Sequence, residues 1–279
     1  MSATNALHIY KANGTDKAPL RETISEIEGL ISSKIVSGYF KNQTVSGDPR
    51  SGSVKVSRFL APSVKDYGTA RTAGKGDYLK DNYVTVNLDK RKEIVEEVNE
   101  FDAQQYGIDE LLLKRREQYA RAVANFLDRQ FFAKAVSAGT QATLSAQNVQ
   151  DKVEELVQSI ETTSNGNVDG VDRDLIALSV NPYTWGLLKN YINTLPNPTD
   201  GGVKIGYFNE VEIHENTRQS VDIIGMAKGA IAQPAAITGT RLKDIDFSID
   251  YELSLFFNYG EEAVMADLIK YANLSNVSA

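Results

Sequence analysis

A long helical pattern from Asp109 to about Ser137 constrains this chain most. Mostly apolar residues recur there at steps of three and four residues, which places them on one face of an α-helix. At about 1.5 Å per residue, such a helix spans roughly 43 Å, which is longer than the usual globular helix. We therefore expect a spine on which other elements pack. The residues expected to face a sheet and a second helix are Tyr119, Val123, Phe126 and Phe131.

The segment between Lys41 and Lys80 is rich in glycine and holds eight basic residues against three acidic ones. Alternating runs such as 54–59 predict two-faced strands, so we expect an extended hairpin over 38–82. A structureless loop of this length is unusual inside a compact domain, which favours an arm lying on a neighbouring molecule rather than on its own domain. The basic residues expected to contact that neighbour are Lys41, Arg50, Lys55, Arg58, Lys65, Arg71, Lys75 and Lys80.

The charge is unevenly distributed along the chain. The whole chain has a net charge of −7, and the part from Gly201 onward has eleven acidic and six basic residues. Such asymmetry favours either a nucleic-acid contact or self-association of oppositely charged faces. A solvated basic loop is the alternative interpretation of the basic segment.

The remaining periodicities predict an α+β chain. Predicted helices cover 20–37, 149–162 and a segment opened by Asn181 and Pro182. The end, 262–274, fits either a strand or a helix. The predicted strands cover 83–88, 90–99, 175–180, 203–208, 210–214, 221–226, 229–233 and 244–257.

The composition leans against an enzyme. The chain has no cysteine and two histidines, which excludes thiolate sites and a His-rich metal site.

The run 165–170 resembles the start of a calcium loop, but Ile176 occupies the position of the bidentate acid. His214 is expected on the exposed face of a strand. We therefore predict no catalytic, cofactor or metal site. A hydrolase or binding module on the Asp244, Asp246 and Asp250 face is the alternative of another class.

No membrane partner is expected from the sequence. No uncharged apolar run approaches the roughly 18–20 residues that a membrane helix needs. The first residues, MSATNALHIYKANGTDK, lack the basic start and apolar run of a signal peptide.

The order of these parts resembles the major capsid protein of tailed double-stranded DNA phages, the Hong Kong 97-type fold. Residues 84–136 (VTVNLDKRKEIVEEVNEFDAQQYGIDELLLKRREQYARAVANFLDRQFFAKAV) resemble its extended-loop strand, acidic strand and spine helix, including a Leu127-Asp128-Arg129 run. Residues 175–190 (LIALSVNPYTWGLLKN) resemble the strand and helix of its peripheral domain. IGYFNEVEIHEN and VDIIGMAKGAIAQP resemble strands and turns of its axial domain.

The resemblance implies an α+β, Hong Kong 97-type capsid fold with four parts. These are an N-terminal arm and short helix (1–37), an extended β-hairpin loop (38–82), a peripheral domain (83–200) with its spine helix (109–137), and a mainly axial, β-rich domain that returns to the peripheral domain (201–279). No residue for a covalent crosslink between subunits matches the family.

The resemblance also implies a structural role. Copies would self-assemble, as hexamers and pentamers, into an icosahedral phage head that encloses double-stranded DNA. The partners implied are a separate scaffolding protein, a portal and a possible decoration protein. The location implied is the virion, assembled in the host bacterial cytoplasm. An encapsulin-like compartment, which has the same fold and encloses cargo enzymes, is the alternative.

Overall fold

The computed structural model describes residues 18–46, 52–59, 66–67, 81–101, 108–165, 168–193, 206–246, 248 and 250–274. The helices are α1 (Ala18–Lys34), α2 (Ile108–Ala138), α3 (Val149–Glu161) and α4 (Pro182–Asn193). None of these helices is both long and apolar enough to span a membrane. Single 3-10 turns cover Ser37–Tyr39, Arg173–Leu175 and Ala266–Leu268.

Sixteen strands are present in the described part of the chain. They are β1 (Val45–Ser46), β2 (Ser53–Phe59), β3 (Asp81–Asn87), β4 (Lys90–Val98), β5 (Thr140–Gln141), β6 (Ser164–Asn165), β7 (Val168–Asp169), β8 (Ile176–Val180), β9 (Tyr207–Phe208), β10 (Val211–Glu215), β11 (Ile223–Ala227), β12 (Ile231–Ala232), β13 (Ala235–Asp244), β14 (Tyr251–Tyr259), β15 (Glu262–Ala263) and β16 (Ile269–Ala272). The chain end therefore contains a strand after a short turn, and not a long helix.

The spine helix is confirmed, with 31 residues in α2. Its middle turns, including Tyr119 and Val123, pack against α1 and a three-stranded sheet. Its last turns, including Phe131 and Phe132, pack against a different, six-stranded sheet. One helix thus joins two hydrophobic cores.

The three-stranded sheet is antiparallel, in the order β13-β14-β4. Leu253, Leu255 and Phe257 alternate on the face that α1 and α2 cover. The single strand expected over 244–257 is wrong, because a turn separates β13 from β14. Pairing shifts between Ile237 and Gly239, and this bulge breaks the period-two pattern by which β13 would have been recognised.

The six-stranded sheet has the order β5-β16-β11-β8-β10-β9 and is covered on both faces. Ile176 and Leu178 of β8 pack with α3 and α4, whereas the intervening Ala177 packs with the last turns of α2. The sheet therefore lies between α2 and α3. The expectation that the buried face of α2 contacts the second helix is wrong, because the sheet separates them.

Both sheets combine strands from either side of residue 200. β8 pairs in parallel with β10, and β4 pairs with β14. The domain boundary expected at residue 200 therefore does not separate one sheet from the other, because each sheet contains strands from both sides of it.

The extended hairpin is present where the chain is described. β2 pairs antiparallel with β3, from Ser53 opposite Asn87 to Phe59 opposite Asp81. Val54, Val56 and Val86 pack at its base with side chains from β12 and the turn after β15. The expectation that the arm avoids its own domain is wrong for this base, because its inward-facing valines complete a core of the same chain.

Candidate assembly interface

The outer described end of the hairpin is fastened to its own chain by an ion pair. The Arg58 guanidinium donates to both carboxylate oxygens of Asp267, at 2.9 Å each. The Asn165 amide also donates to that carboxylate, at 2.8 Å. Burial raises the pKa of Asp267, but these hydrogen bonds outweigh it and hold the pKa below its ordinary value. The part of the hairpin formed by β2 and β3 is therefore held in place by contacts within its own chain.

The eight basic residues predicted to contact a neighbour do not form one described cluster. Lys55 is exposed on β2, and Arg58 is paired as above. Lys41 precedes the hairpin and forms a β-bridge with Ile231. The other five lie outside the described residues; they are Arg50, Lys65, Arg71, Lys75 and Lys80.

An aromatic side chain is presented to solvent on the segment between β2 and β3. Tyr67 is 92% exposed, the largest value among the exposed apolar and aromatic side chains of the described chain. The neighbouring Asp66 is exposed as well. Sequence reasoning missed this pair because it examined only the basic residues of the segment.

The junction between α1 and the hairpin segment is held by a buried acid on the spine helix. The fully buried Asp128 carboxylate accepts hydrogen bonds from the backbone N–H groups of Val36 and Ser37, both at 3.0 Å, and pairs with Arg218. Sequence reasoning treated Asp128 only as part of a resemblance. An acid between Leu127 and Phe131 on an apolar stripe is the signal that could have identified it.

His214 is partly buried, and not exposed as expected. Its ring stacks on Tyr39 at a centroid distance of 4.1 Å, and its Nε2 lies 2.8 Å from a Glu212 carboxylate oxygen. Burial lowers the pKa of His214, and the Glu212 carboxylate offsets part of that effect. The histidine therefore belongs to a packed aromatic cluster.

The acidic face proposed for a hydrolase is not assembled as a site. Asp246 is largely exposed, and Asp250 accepts a hydrogen bond from the backbone N–H of Glu100 at 3.0 Å. Within the described ranges, no group of three or more His, Cys, Asp or Glu side chains could hold a metal ion. Asp250 instead stabilises the turn that follows β4.

Comparisons with known proteins agree on the fold. A chain of Mycobacterium phage Che8 matches with a TM-score of 0.59 and 21% identity, over 80% of this chain and 84% of that one. The capsid of the cyanophage P-SCSP1u matches with a TM-score of 0.57 and 11% identity, over 85% and 87%. A virus-like particle from Pyrococcus furiosus matches with a TM-score of 0.56 and 11% identity, over 92% and 100%. The sequence matches no family model and no curated protein.

These structures share one architecture with the chain over most of its length. The long α2, the hairpin and the two sheets together form the Hong Kong 97-type capsid fold, which confirms the fold expected from the sequence.

Proposed function

We propose that this chain is a major capsid protein whose copies self-assemble into an icosahedral phage head around double-stranded DNA. The observation that carries the proposal is the match to phage capsid chains, which covers 80–85% of this chain and 84–87% of theirs. Hexamers and pentamers are the units expected to close such a shell. In this role the chain would act through its surfaces, by contacts between copies.

The two cores suggest how the parts divide. We assign the three-stranded sheet with α1 and most of α2 to the peripheral domain, and the six-stranded sheet with α3 and α4 to the axial domain. This assignment follows the sheets, and so it differs from the division at residue 200. The C-terminal end of α2, which packs against β15 and β16, connects the two parts.

Further partners follow from the proposed assembly. A separate scaffolding protein would set the shell size, a portal would occupy one vertex, and a decoration protein would bind outside. Assembly would take place in the cytoplasm of the host bacterium, and the mature location would be the virion. The net charge of −7 suits a shell that confines DNA without gripping it tightly.

An encapsulin-like compartment is the second candidate. The virus-like particle from Pyrococcus furiosus matches over its whole length, which is the observation that favours it. The two candidates differ in their contents, which are DNA in a phage head and protein cargo in a compartment.

Electron microscopy of the expressed protein tests the proposal. We expect closed shells of uniform diameter, formed without added ligand. Shells isolated from phage-producing cells should contain nuclease-protected DNA, and protein cargo without DNA would favour the second candidate. Purely monomeric protein at all concentrations, with and without co-expressed neighbouring genes, would contradict both.

A further inference from the structure

A cavity of about 390 Å³ opens between α1, α2 and the start of β13. We call it the α1–α2 cavity. Its volume lies within the range of about 300–1,000 Å³ that ligand pockets span. Its apolar wall includes Ile31, Val123, Leu127, Ile237 and Phe257. A ligand in this cavity would therefore place an apolar part against α2 and β13.

Gln233 brings a hydrogen-bond acceptor without a partner to the cavity. Its Nε2 donates to the backbone carbonyl of Leu127 at 2.9 Å and lies 3.5 Å from a carboxylate oxygen of Glu261, which fixes the orientation of the amide. Its Oε1 is buried and accepts no hydrogen bond within the described part of the chain. Buried polar atoms are normally hydrogen-bonded, so this oxygen suits a donor from a bound molecule.

Lys41 brings a cation close to the same acceptor. It forms a β-bridge with Ile231, two residues before Gln233, and its ammonium lies 5.9 Å from the centre of the Phe131 ring. Phe131 follows Leu127 by about one helical turn, so the Lys41 and Gln233 side chains reach adjacent turns of α2. A cation and a free acceptor therefore lie at one end of an apolar cavity.

Two of the charges that line the cavity lack an opposite partner. The nearby buried carboxylates already have cations, in the pairs Asp128–Arg218 and Glu261–Lys90. Lys41 and Glu28 both line the cavity, and neither forms an ion pair with a side chain that the structure describes. The cavity therefore offers one positive charge and one negative charge to a ligand.

We propose that the α1–α2 cavity binds a free α-amino acid that has a large apolar side chain. The ligand carboxylate accepts a charge-assisted hydrogen bond from Lys41, and the ligand ammonium donates to Gln233 Oε1. The ligand side chain packs against the apolar wall, and Glu28 adds an attraction for the ammonium. This inference goes beyond shell formation, because all of the groups belong to one subunit.

Simpler ligands leave part of the site unsatisfied. An apolar carboxylic acid would pair with Lys41, but it would leave Gln233 Oε1 without a donor and would meet the like charge of Glu28. An apolar amine would supply the donor, but it would leave Lys41 without an anion. Each unmet group costs binding free energy, because a buried polar atom or charge without a partner is unfavourable.

Titration calorimetry of the unassembled full-length chain tests the proposal with L-phenylalanine as the probe. We expect saturable binding with one molecule per subunit. Two matched probes each lack one charged group: 3-phenylpropionate has no ammonium, and 2-phenylethylamine has no carboxylate. Each should bind about tenfold or more weakly than L-phenylalanine, since one charge-assisted hydrogen bond is lost. Glycine, which lacks the apolar side chain, should show no measurable binding.

Two substitutions should each remove the discrimination made by one group. Lys41→Met should weaken the binding of L-phenylalanine about 10- to 100-fold and should not weaken the binding of 2-phenylethylamine. Gln233→Leu should weaken L-phenylalanine about tenfold and leave 3-phenylpropionate unchanged. Lys55→Met, which changes an exposed lysine on β2, is the matched control and should bind like the natural chain.

Thermal unfolding checks the fold of each variant and gives a second measure of binding. A ligand that binds only the folded chain raises the unfolding midpoint as its concentration rises. L-phenylalanine should therefore raise the midpoint of the natural chain and of Lys55→Met, and should raise that of Lys41→Met much less. If Gln233→Leu does not fold, the three probes on the natural chain still test the donor.

Two results would overturn the inference. One is the absence of saturable L-phenylalanine binding up to its solubility limit. The other is binding of 3-phenylpropionate or 2-phenylethylamine as tight as that of L-phenylalanine, which would show that the cavity does not recognise both charged groups. Neither result bears on shell formation, so the proposed function would stand or fall by electron microscopy alone.

Discussion

The Asp128 carboxylate on α2 pairs with the Arg218 guanidinium, which lies on the loop between β10 and β11. The same carboxylate accepts backbone hydrogen bonds from Val36 and Ser37. Three segments that are distant in sequence therefore meet at one buried acid of the spine helix. This contact fixes where the chain leaves α1 and begins its path toward the hairpin.

Asp128→Ala should lower the free energy of unfolding by about 3–5 kcal/mol, because the Arg218 guanidinium loses its carboxylate partner and the backbone N–H groups of Val36 and Ser37 lose their acceptor. Asp128→Asn should cost less, since one oxygen acceptor remains. Chemical denaturation of the unassembled protein measures both. Arg129→Ala, at the exposed adjacent position, is the control and should change stability by less than about 0.5 kcal/mol. Equal effects at the two positions would contradict the assigned role.

Phe131→Ala should cost about 3–5 kcal/mol of unfolding free energy, because this fully buried ring fills the core shared by α2 and the six-stranded sheet. Phe126→Ala should cost less, since Phe126 is only partly buried and packs edge-on against Phe257 and Tyr259. Thermal and urea unfolding of both variants give the comparison. A larger loss at Phe126 would mean that the buried face of α2 is assigned incorrectly.

Arg58→Ala should destabilise the protein by about 1–2 kcal/mol near neutral pH, because it removes a bidentate pair that is partly shielded from water. The folded protein holds the pKa of Asp267 below its ordinary value of 3.8. The stabilisation is therefore fully present above about pH 4 and is lost as pH falls through the lower folded value.

The difference in unfolding free energy between the natural protein and Arg58→Ala should accordingly shrink as pH falls below the ordinary Asp267 pKa of 3.8. Lys55→Ala, on the exposed side of the same strand, serves as the control. A difference that is independent of pH would show that the Arg58 contribution is one of packing alone.

Lys41→Met should stabilise the folded chain at pH 7, by on the order of 1–3 kcal/mol. Burial lowers the pKa of Lys41 to about 8, from an ordinary value of 10.5, and Asp128 offsets only part of this. Between these two values the unfolded chain binds the proton more tightly, so the stability of the natural protein rises with pH there.

The gain from Lys41→Met should therefore diminish as pH rises from 8 to above 10, as unfolding measured against pH can establish. Lys55→Met, which changes an exposed lysine on β2, is the matched control. A loss of stability at pH 7 would contradict the cost assigned to burying this amine.

Removing residues 60–80 and closing the hairpin with an Asn-Gly turn should leave a folded subunit that forms no shells. The deletion keeps Val54, Val56 and Arg58, so the base of the hairpin retains its core contacts and its ion pair. Circular dichroism checks the fold, and light scattering with electron microscopy checks assembly. Normal shells from this variant would show that the distal hairpin is dispensable.

Periodicity alone was sufficient for the elements whose pattern is local. The apolar stripe of α2, the cap and proline before α4, and the alternation in β2 and β3 each lie within a few neighbouring residues. Their bounds in the structure agree with the prediction to within a few residues. Composition also indicated an extended basic segment. Its glycine content, its basic residues and its alternation of apolar and polar residues can be recognised in the sequence without knowing what the segment contacts.

The tertiary structure decided which faces meet and which charges are paired. The pairing of β8 with β10 across residue 200, the placement of the sheet between α2 and α3, and the bulge in β13 depend on residues that are far apart in sequence. Arg58 was expected to be available to a neighbour, yet Asp267, 209 positions away, pairs with it in its own chain. Side-chain partners of this kind have no periodic signature, because burial and hydrogen bonding are set by the folded chain as a whole.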